Sequence, residues 1–177
     1  MASFSYMGLH TAFGEFTMVW DGSGRIRKIY LPNKSGTLLS DYPRAERGAD
    51  PGISGVADNI SRFLSGLDVR FSLDAVALDT CTEFQRRVLL AEYGIPRGYV
   101  STYNRITDYV GCPGGARAVG GALAANPFPI VIPCHRAVRS DGGLGGYQGG
   151  LDMKRRLLAM EGVGFTRGKV DMKQVYY

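Results

Sequence analysis

Apolar residues cluster first at Phe16-Thr17-Met18-Val19-Trp20 and again at Ile26-Arg27-Lys28-Ile29-Tyr30-Leu31, on either side of Asp21-Gly22-Ser23-Gly24. Two apolar-aromatic runs across a glycine-rich turn predict a β-hairpin that ends at Pro32. Residues 33–51 are polar, with Gly, Pro and mixed charge, and read as a loop. Ile53, Val56, Ile60, Phe63, Leu64 and Leu67 recur at helical spacing and predict a helix over about 53–65. Leu73 to Leu78 is a short β-like run, and a domain boundary falls near Asp79-Thr80.

The pattern changes after that boundary. Thr82-Glu83-Phe84-Gln85 matches a capping box, and Phe84, Val88, Leu89 and Ile95 supply the apolar stripe of the helix it opens. Pro96-Arg97-Gly98 stops it. Ser101 to Val110 is helix-compatible, Gly111-Cys112-Pro113-Gly114 is a turn, and Gly115 to Ala125 is a second helix made almost wholly of small residues. The pair has a helix-turn-helix look. Two interior glycines cost about 1 kcal/mol each relative to Ala, which makes sense if another backbone approaches closely. That backbone is either a DNA strand or a tightly packed neighbouring helix. Arg117 is the one charged side chain on this second helix, which suits minor-groove or phosphate contact better than base reading.

Asn126-Pro127-Phe128-Pro129 breaks the helix, and the run Ile130-Val131-Ile132 reads as a short strand that delivers Cys134. Ser140 to Gly150 is a glycine-rich loop that fits no phosphate-cradling pattern but can wrap a flat ligand; Tyr147 in it either stacks on that ligand or packs in the core. Asp152 is positioned to cap a final helix running to Glu161, with Gly162 past its end. The tail beyond Gly164 reads as surface strand or coil.

Composition narrows the possibilities. A chain of 177 residues with 45% hydrophobic content suits one large domain or two small ones. The net charge of +5 fits an anionic partner, nucleic acid first, or a merely soluble basic protein. Cys81, Cys112 and Cys134 form no C-x-x-C pair, and His10 and His135 are the only histidines, so neither a disulfide framework nor a metal site is expected. Reduced thiols imply an intracellular setting. The N-terminus lacks the pattern of a signal peptide, and no stretch approaches the roughly 18 apolar residues of a membrane span.

The candidate chemistry centres on Pro133-Cys134-His135-Arg136. A free thiol has a pKa of about 8.5, and cationic neighbours favour the thiolate, so the segment reads as an activated sulfur nucleophile. A buried structural cysteine beside a surface His-Arg pair is the plainer alternative.

Several motifs in register resolve that choice. Phe84-Gln85, Val100-Ser101-Thr102-Tyr103, Ala116-Arg117-Ala118-Val119-Gly120, Asn126-Pro127, Ile132-Pro133-Cys134-His135-Arg136, Gly146-Tyr147-x-Gly149-Gly150 and the helix from Lys154 to Glu161 agree in order and spacing with one family. The stretch from about Thr82 to Glu161 resembles the O6-alkylguanine-DNA alkyltransferases, also called methylated-DNA–protein-cysteine methyltransferases. The resemblance implies an α/β protein of two domains. Residues 1–79 would form a small N-terminal sheet domain with a helix. Residues 80–177 would form a mostly helical DNA-binding and alkyl-transfer domain.

It implies a single-turnover DNA repair enzyme without a cofactor. This would be a cytoplasmic monomer (nuclear in a eukaryote) acting on double-stranded DNA that contains O6-alkylguanine, with O4 of thymine a further possible target. Cys134 would attack the alkyl carbon. His135 would take the thiol proton through a water, and Glu161 would orient the imidazole, the logic of a nucleophile–base–orienter triad. Asn126 would brace the junction before Cys134. Tyr103 would lie against a phosphate and donate to the leaving base. Arg117 would fill the gap left by a flipped base, with Ala118, Gly120 and Gly121 also meeting DNA. Tyr147, Gln148, Ala137 and Pro129 would line the base pocket, with carbonyls of Cys134 and Ala137 accepting from the exocyclic amine. Two features depart from some relatives: the ligands for an N-terminal zinc are missing, and Gln148 stands where others carry Ser. A Cys-His hydrolase would need an oxyanion arrangement that nothing here signals. A helix-turn-helix regulator would need longer polar side chains on its second helix.

Overall fold

The computed structural model describes residues 3–32 and 34–177; the readings that touch Met1, Ala2 and Asn33 lie outside the described residues. Two compact units emerge. One holds the described residues up to Thr80 together with Pro127–Val131, and the other holds Cys81–Asn126 and Ile132–Tyr177.

The first unit is built on a four-stranded sheet. The predicted hairpin forms as β2 (Gly14–Asp21) and β3 (Ile26–Tyr30), preceded by β1 (Phe4–Thr11). β1 pairs antiparallel with β2 along its whole length, and the short β4 (Glu46–Arg47) runs parallel to β1 at the other side. β1 was not visible in the pattern because Phe4-Ser5-Tyr6-Met7-Gly8-Leu9-His10-Thr11 has no period, and its residues are nearly all half-buried. Part of the polar segment read as loop also folds, as the one-turn α1 (Leu38–Asp41) and β4. Phe16, Met18, Ile26, Ile29, Ile53, Ile60 and Phe63 make the buried core. The last three come from α2 (Pro51–Leu64), where Asp50 accepts from the Ile53 amide at 3.0 Å and Pro51 sits where its missing N–H does no harm. The run Leu73 to Leu78 is not a strand: two 3₁₀ turns flank a single bridge between Val76 and Ile26, because Ser72 and Asp74 form a local turn instead.

The second unit begins with α3 (Glu83–Tyr93). Thr82 accepts from the Gln85 amide at 3.2 Å, but Gln85 does not reach back to complete the capping box. Its side chain donates instead to the carbonyls of Ala122 and Ala125, at 3.4 and 3.0 Å. β5 (Ser101–Thr102) leads into α4 (Tyr103–Tyr109), capped by Thr102, and a glycine turn leads into α5 (Ala116–Ala124). The predicted strand before Cys134 does not form. Pro127 and Pro129 interrupt it, Ile130 adopts φ 74°, and Ile130-Val131 make a turn. Pro127–Val131 belongs to the first unit, where the Ile29 amide donates to the Pro127 carbonyl at 2.8 Å, and Ile132 already belongs to the second. Cys134–Arg136 is a 3₁₀ turn, followed by β6 (Ala137–Val138), which pairs parallel with β5.

α6 (Leu151–Met160) closes the site. Gly150, at φ 86°, takes the cap position predicted for Asp152, which instead lies inside the first turn, where a negative charge favours the helix dipole. The tail is more than surface coil. β7 (Phe165–Thr166) and β8 (Lys169–Val170) form a hairpin whose Val170 is buried, and the Tyr176 amide donates to the Val100 carbonyl at 2.8 Å.

The Asp50 cap serves only α2. Asp50→Ala is expected to lower the unfolding free energy by about 1 kcal/mol in a denaturant titration, the usual loss for one N-cap.

Candidate active site

The 3₁₀ turn at Cys134–Arg136 is wedged between α3 and α6, so its three side chains are buried at 5%, 0% and 8% exposure. Cys134 is a free thiol in the wall of a cavity of about 480 Å³, within the range of small-ligand sites. Tyr103 of α4, Gly120 and Leu123 of α5, and Gly146, Tyr147 and Gln148 of the glycine-rich loop share that wall.

Glu161, just past the end of α6, organises the turn. His135 Nε2 lies 2.8 Å from Glu161 Oε1; because the partner is a carboxylate, Nε2 carries the hydrogen and Nδ1 is the basic nitrogen. Arg136 donates through Nε to Oε2 at 2.9 Å and through Nη2 to Oε1 at 2.8 Å. Its Nη1 donates to the Ile95 carbonyl at 2.5 Å. Burial alone raises the Glu161 carboxyl, but the charges and hydrogen bonds of His135 and Arg136 outweigh it and hold the group at about 2. Burial lowers His135, with the Arg136 and Lys154 charges adding to that, while Glu161 opposes. Burial thus favours the neutral imidazole, and Arg136 adds a fixed positive charge to the His135 interaction in keeping Glu161 ionised.

The thiol corrects an expectation. Burial pushes Cys134 up to about 12; Asn126's hydrogen bond and the Lys154 charge pull down, and Glu92 pushes up. The adjacent cationic groups therefore make no resting thiolate, since Arg136 is committed to Glu161 and His135 is neutral. Asn126 also donates to the Ile132 carbonyl at 3.0 Å and so ties the end of α5 to the approach to Cys134. Gln148 donates to the Asn126 carbonyl at 2.9 Å from the opposite wall. Tyr103 remains a neutral phenol: burial first, then Glu92 and Cys134, raise it to about 12.

Cys134, Tyr103, Gly120, Tyr147 and Gln148 thus share one cavity, with His135, Glu161 and Asn126 directly behind it. Ala137 and Pro129 do not line it. The Ala137 carbonyl accepts from Lys154 Nζ at 2.6 Å, which takes up an acceptor expected for a base, and Pro129 is buried with the first unit. On α5, Arg117, Ala118 and Gly121 are exposed, and Arg117 makes no ion pair among the described residues. A Cβ at Gly121 would meet nothing within 4 Å and one at Gly120 would only touch Tyr103 at 4.0 Å, so no neighbouring helix requires these glycines.

Lys154 was missed. It is fully buried on α6, and Nζ donates to the carbonyls of Ala137, Leu144 and Gly146, the first and last at 2.6 and 3.0 Å. It staples the glycine-rich loop to the segment after Cys134. The signal was present: Lys154 occupies the apolar stripe of its helix with Leu157, Leu158 and Glu161. Gly145, at φ 67°, lets that loop lie on Tyr103, whose hydroxyl would be 2.6 Å from an added Cβ.

A helix-turn-helix with a small-residue second helix, set against a cavity walled by one sheltered cysteine, defines a protein that brings a thiol to a DNA-borne group. Residues 83–163 match the family model described as 6-O-methylguanine DNA methyltransferase, DNA binding domain. The methylated-DNA–protein-cysteine methyltransferase of Methanothermobacter thermautotrophicus is 51% identical over 128 residues, covering 71% of this chain and 72% of its own. The protein of the same name from Mycolicibacterium paratuberculosis is 41% identical over 137 residues, covering 77% and 76%. The crystal structure of Mycobacterium tuberculosis OGT in complex with DNA superposes with a TM-score of 0.72 at 31% identity, covering 89% of this chain and 92% of that one. The chain belongs to the methylated-DNA–protein-cysteine methyltransferase family.

The depressed Glu161 carboxyl has a consequence for stability. Its folded value of about 2 lies below the ordinary 4.5, so its contribution is present above about pH 4.5 and is lost as pH falls toward 2. Wild-type protein is expected to lose about 3 kcal/mol of unfolding free energy across that window through this group, and Glu161→Gln to lack this part of the acid transition in pH-resolved denaturant titrations.

Proposed function

We propose that this protein repairs O6-alkylguanine in duplex DNA by moving the alkyl group irreversibly onto Cys134. The observation that carries the reading is the sheltered thiol in a base-sized cavity, backed by a His135–Glu161 pair and flanked by a helix with a flat surface. A base inside the duplex stack cannot reach such a thiol, so the damaged nucleotide is flipped out, at a few kcal/mol. The small residues Ala118, Gly120 and Gly121 let the DNA backbone approach α5 closely, and Arg117 fills the space the base leaves.

In the occupied cavity the proton of Cys134 passes to His135 Nδ1 through a water, and Glu161 stabilises the imidazolium. Sulfur then displaces the alkyl carbon in line. The S–C bond forms, the C–O6 bond breaks with its electron pair leaving on guanine, and guanine takes up a proton. The neutral Tyr103 phenol donates to the purine as negative charge develops, while Tyr147 packs on its face and Gln148 borders the alkyl group. The thioether is stable, so each molecule, working as a monomer in the cytoplasm or in a eukaryotic nucleus, acts once. O4-alkylthymine is a second substrate on the same chemistry. Family membership does not favour a hydrolase or a regulator without transfer activity.

Intact-mass spectrometry after incubation with O6-methylguanine DNA is expected to find one added methyl group on Cys134 and none on Cys134→Ser. Unmodified Cys134 after a full dose of lesion would sink the proposal. Arg117→Ala is expected to slow repair in duplex DNA at least ~tenfold, equivalent to about 1.4 kcal/mol, while sparing reaction with the free alkylated base. Equal losses on both substrates would remove the base-flipping role.

A further inference from the structure

Residues 174–177 make ordered contacts that the proposed mechanism leaves unused. They lie beside the start of β5. The Val100 amide donates to the Gln174 carbonyl at 3.0 Å, the Tyr176 amide donates back to the Val100 carbonyl at 2.8 Å, and Val100 and Val175 form a parallel bridge. The buried Ser101 hydroxyl donates to the Tyr176 carbonyl at 2.8 Å. β5 in turn pairs with β6, directly after the Cys134 turn. Tyr177 then reaches two helices at once. Its hydroxyl donates to the Ala91 carbonyl on α3 at 2.7 Å. Its ring stacks on Tyr109 of α4, with centroids 4.0 Å apart and planes at 27°. Arg105 of α4 donates to the main-chain oxygen of Tyr177, and the Tyr176 ring packs on the Tyr177 ring at 4.7 Å.

α4 depends on such support. It has seven residues, about two turns, and a helix that short does not hold itself together in water. Ile106 and Thr107 anchor its inner face, while Arg105 and Tyr109 are exposed and are the two side chains that residue 177 engages. The helix is thus fixed at its start through β5 and at its end through Tyr109. Tyr103 is its first residue and stands in the cavity wall with Cys134. The fit there is tight: the Tyr103 hydroxyl would be 2.6 Å from a Cβ added at Gly145. A small displacement of α4 therefore moves the phenol against the glycine-rich loop or away from it.

We propose that Tyr177 is a positioning residue for alkyl transfer: by clamping α4 against α3 it fixes where the Tyr103 phenol stands in the cavity, and so how well that phenol meets the departing base. The kinetic consequence rests on the repair reading; the clamp itself does not. Tyr177 lies on the far side of α4 from the cavity lining and touches the reaction only through Tyr103.

The test is a double-mutant cycle on the full chain. Tyr177→Ala is expected to lower the single-turnover methyl-transfer rate at saturating duplex DNA ~tenfold, since a misplacement of about 1 Å is enough for a loss of that order. In a Tyr103→Phe background there is no hydroxyl to misplace, and the same substitution is expected to cost less than ~twofold. A segment that only stabilises the fold would cost the same factor in both backgrounds. Tyr177→Phe keeps the ring on Tyr109 but loses the bond to Ala91, so it carries the same comparison with a smaller loss if the Ala variant does not fold. In amide NMR spectra of the folded variants, the Tyr103 and Asn104 signals, at the opposite end of α4 from Tyr109, are expected to shift. An equal loss in both backgrounds, or unmoved Tyr103 and Asn104 amides, overturns the proposal. Failure of the wild-type protein itself to accept a methyl group would instead count against the repair reading, and the NMR comparison still judges the clamp without any transfer.

Discussion

The Glu161 carboxylate is the fixed point of the active domain. It accepts three hydrogen bonds, one from His135 and two from Arg136, and all three residues are buried. Arg136 carries the positive charge that makes a buried carboxylate tolerable, and its remaining arm reaches the Ile95 carbonyl just past the end of α3. One ion pair therefore joins α3, the 3₁₀ turn and the end of α6. Losing either partner of such a pair leaves a buried charge without compensation, a change worth several kcal/mol. The imidazole is oriented by the same carboxylate, so the group that stabilises the turn also sets which nitrogen can accept a proton.

A second layer of buried polarity holds the opposite wall. Asn126, Gln148 and Lys154 are spread over three segments, yet each bonds to backbone carbonyls near Cys134. Backbone acceptors are insensitive to side-chain identity, so loops that carry mostly glycine can still be held in one place. This explains how a segment as rich in glycine as residues 140–150 forms a wall of a defined cavity. The glycines allow the close approach to Tyr103, and Lys154 removes the freedom they would otherwise leave.

Much of this was legible in the chain. The hairpin, α2, the helix-turn-helix and the reactive segment all follow from apolar spacing and turn residues, and the motif order identified the family. The failures have physical causes. β1 has no period because its residues are half-buried on both faces, so backbone pairing with β2, not side-chain pattern, makes it a strand. Ile130-Val131-Ile132 is apolar because it is buried, and two prolines with a positive φ at Ile130 make it a turn. Glu92 and Lys154 were overlooked because charged residues are ordinarily read as surface. Their positions, in step with Val88 and Leu89 on one helix and Leu157 and Leu158 on the other, mark them as buried. A charged residue on an apolar stripe is the sequence signal for an internal polar network, and it can be seen without coordinates.

The burial of Cys134 changes the meaning of activation. With burial pushing the thiol up to about 12, the resting group at pH 7 is the neutral thiol. A rapidly reacting thiolate is what a multiple-turnover cysteine enzyme needs at rest. A protein consumed by its own reaction needs the opposite, because any stray electrophile would end its working life. Desolvation supplies that restraint. In the proposed transfer the proton leaves as the lesion fills the cavity, the His135–Glu161 pair accepts it, and the new charge passes to the displaced base. The same low-dielectric surroundings that suppress the thiolate at rest leave it poorly solvated, and so strongly nucleophilic, in the moment it forms. In that proposal the burial that restrains the thiol at rest also sharpens it once the lesion is bound, and both depend on the turn that Glu161 holds in place.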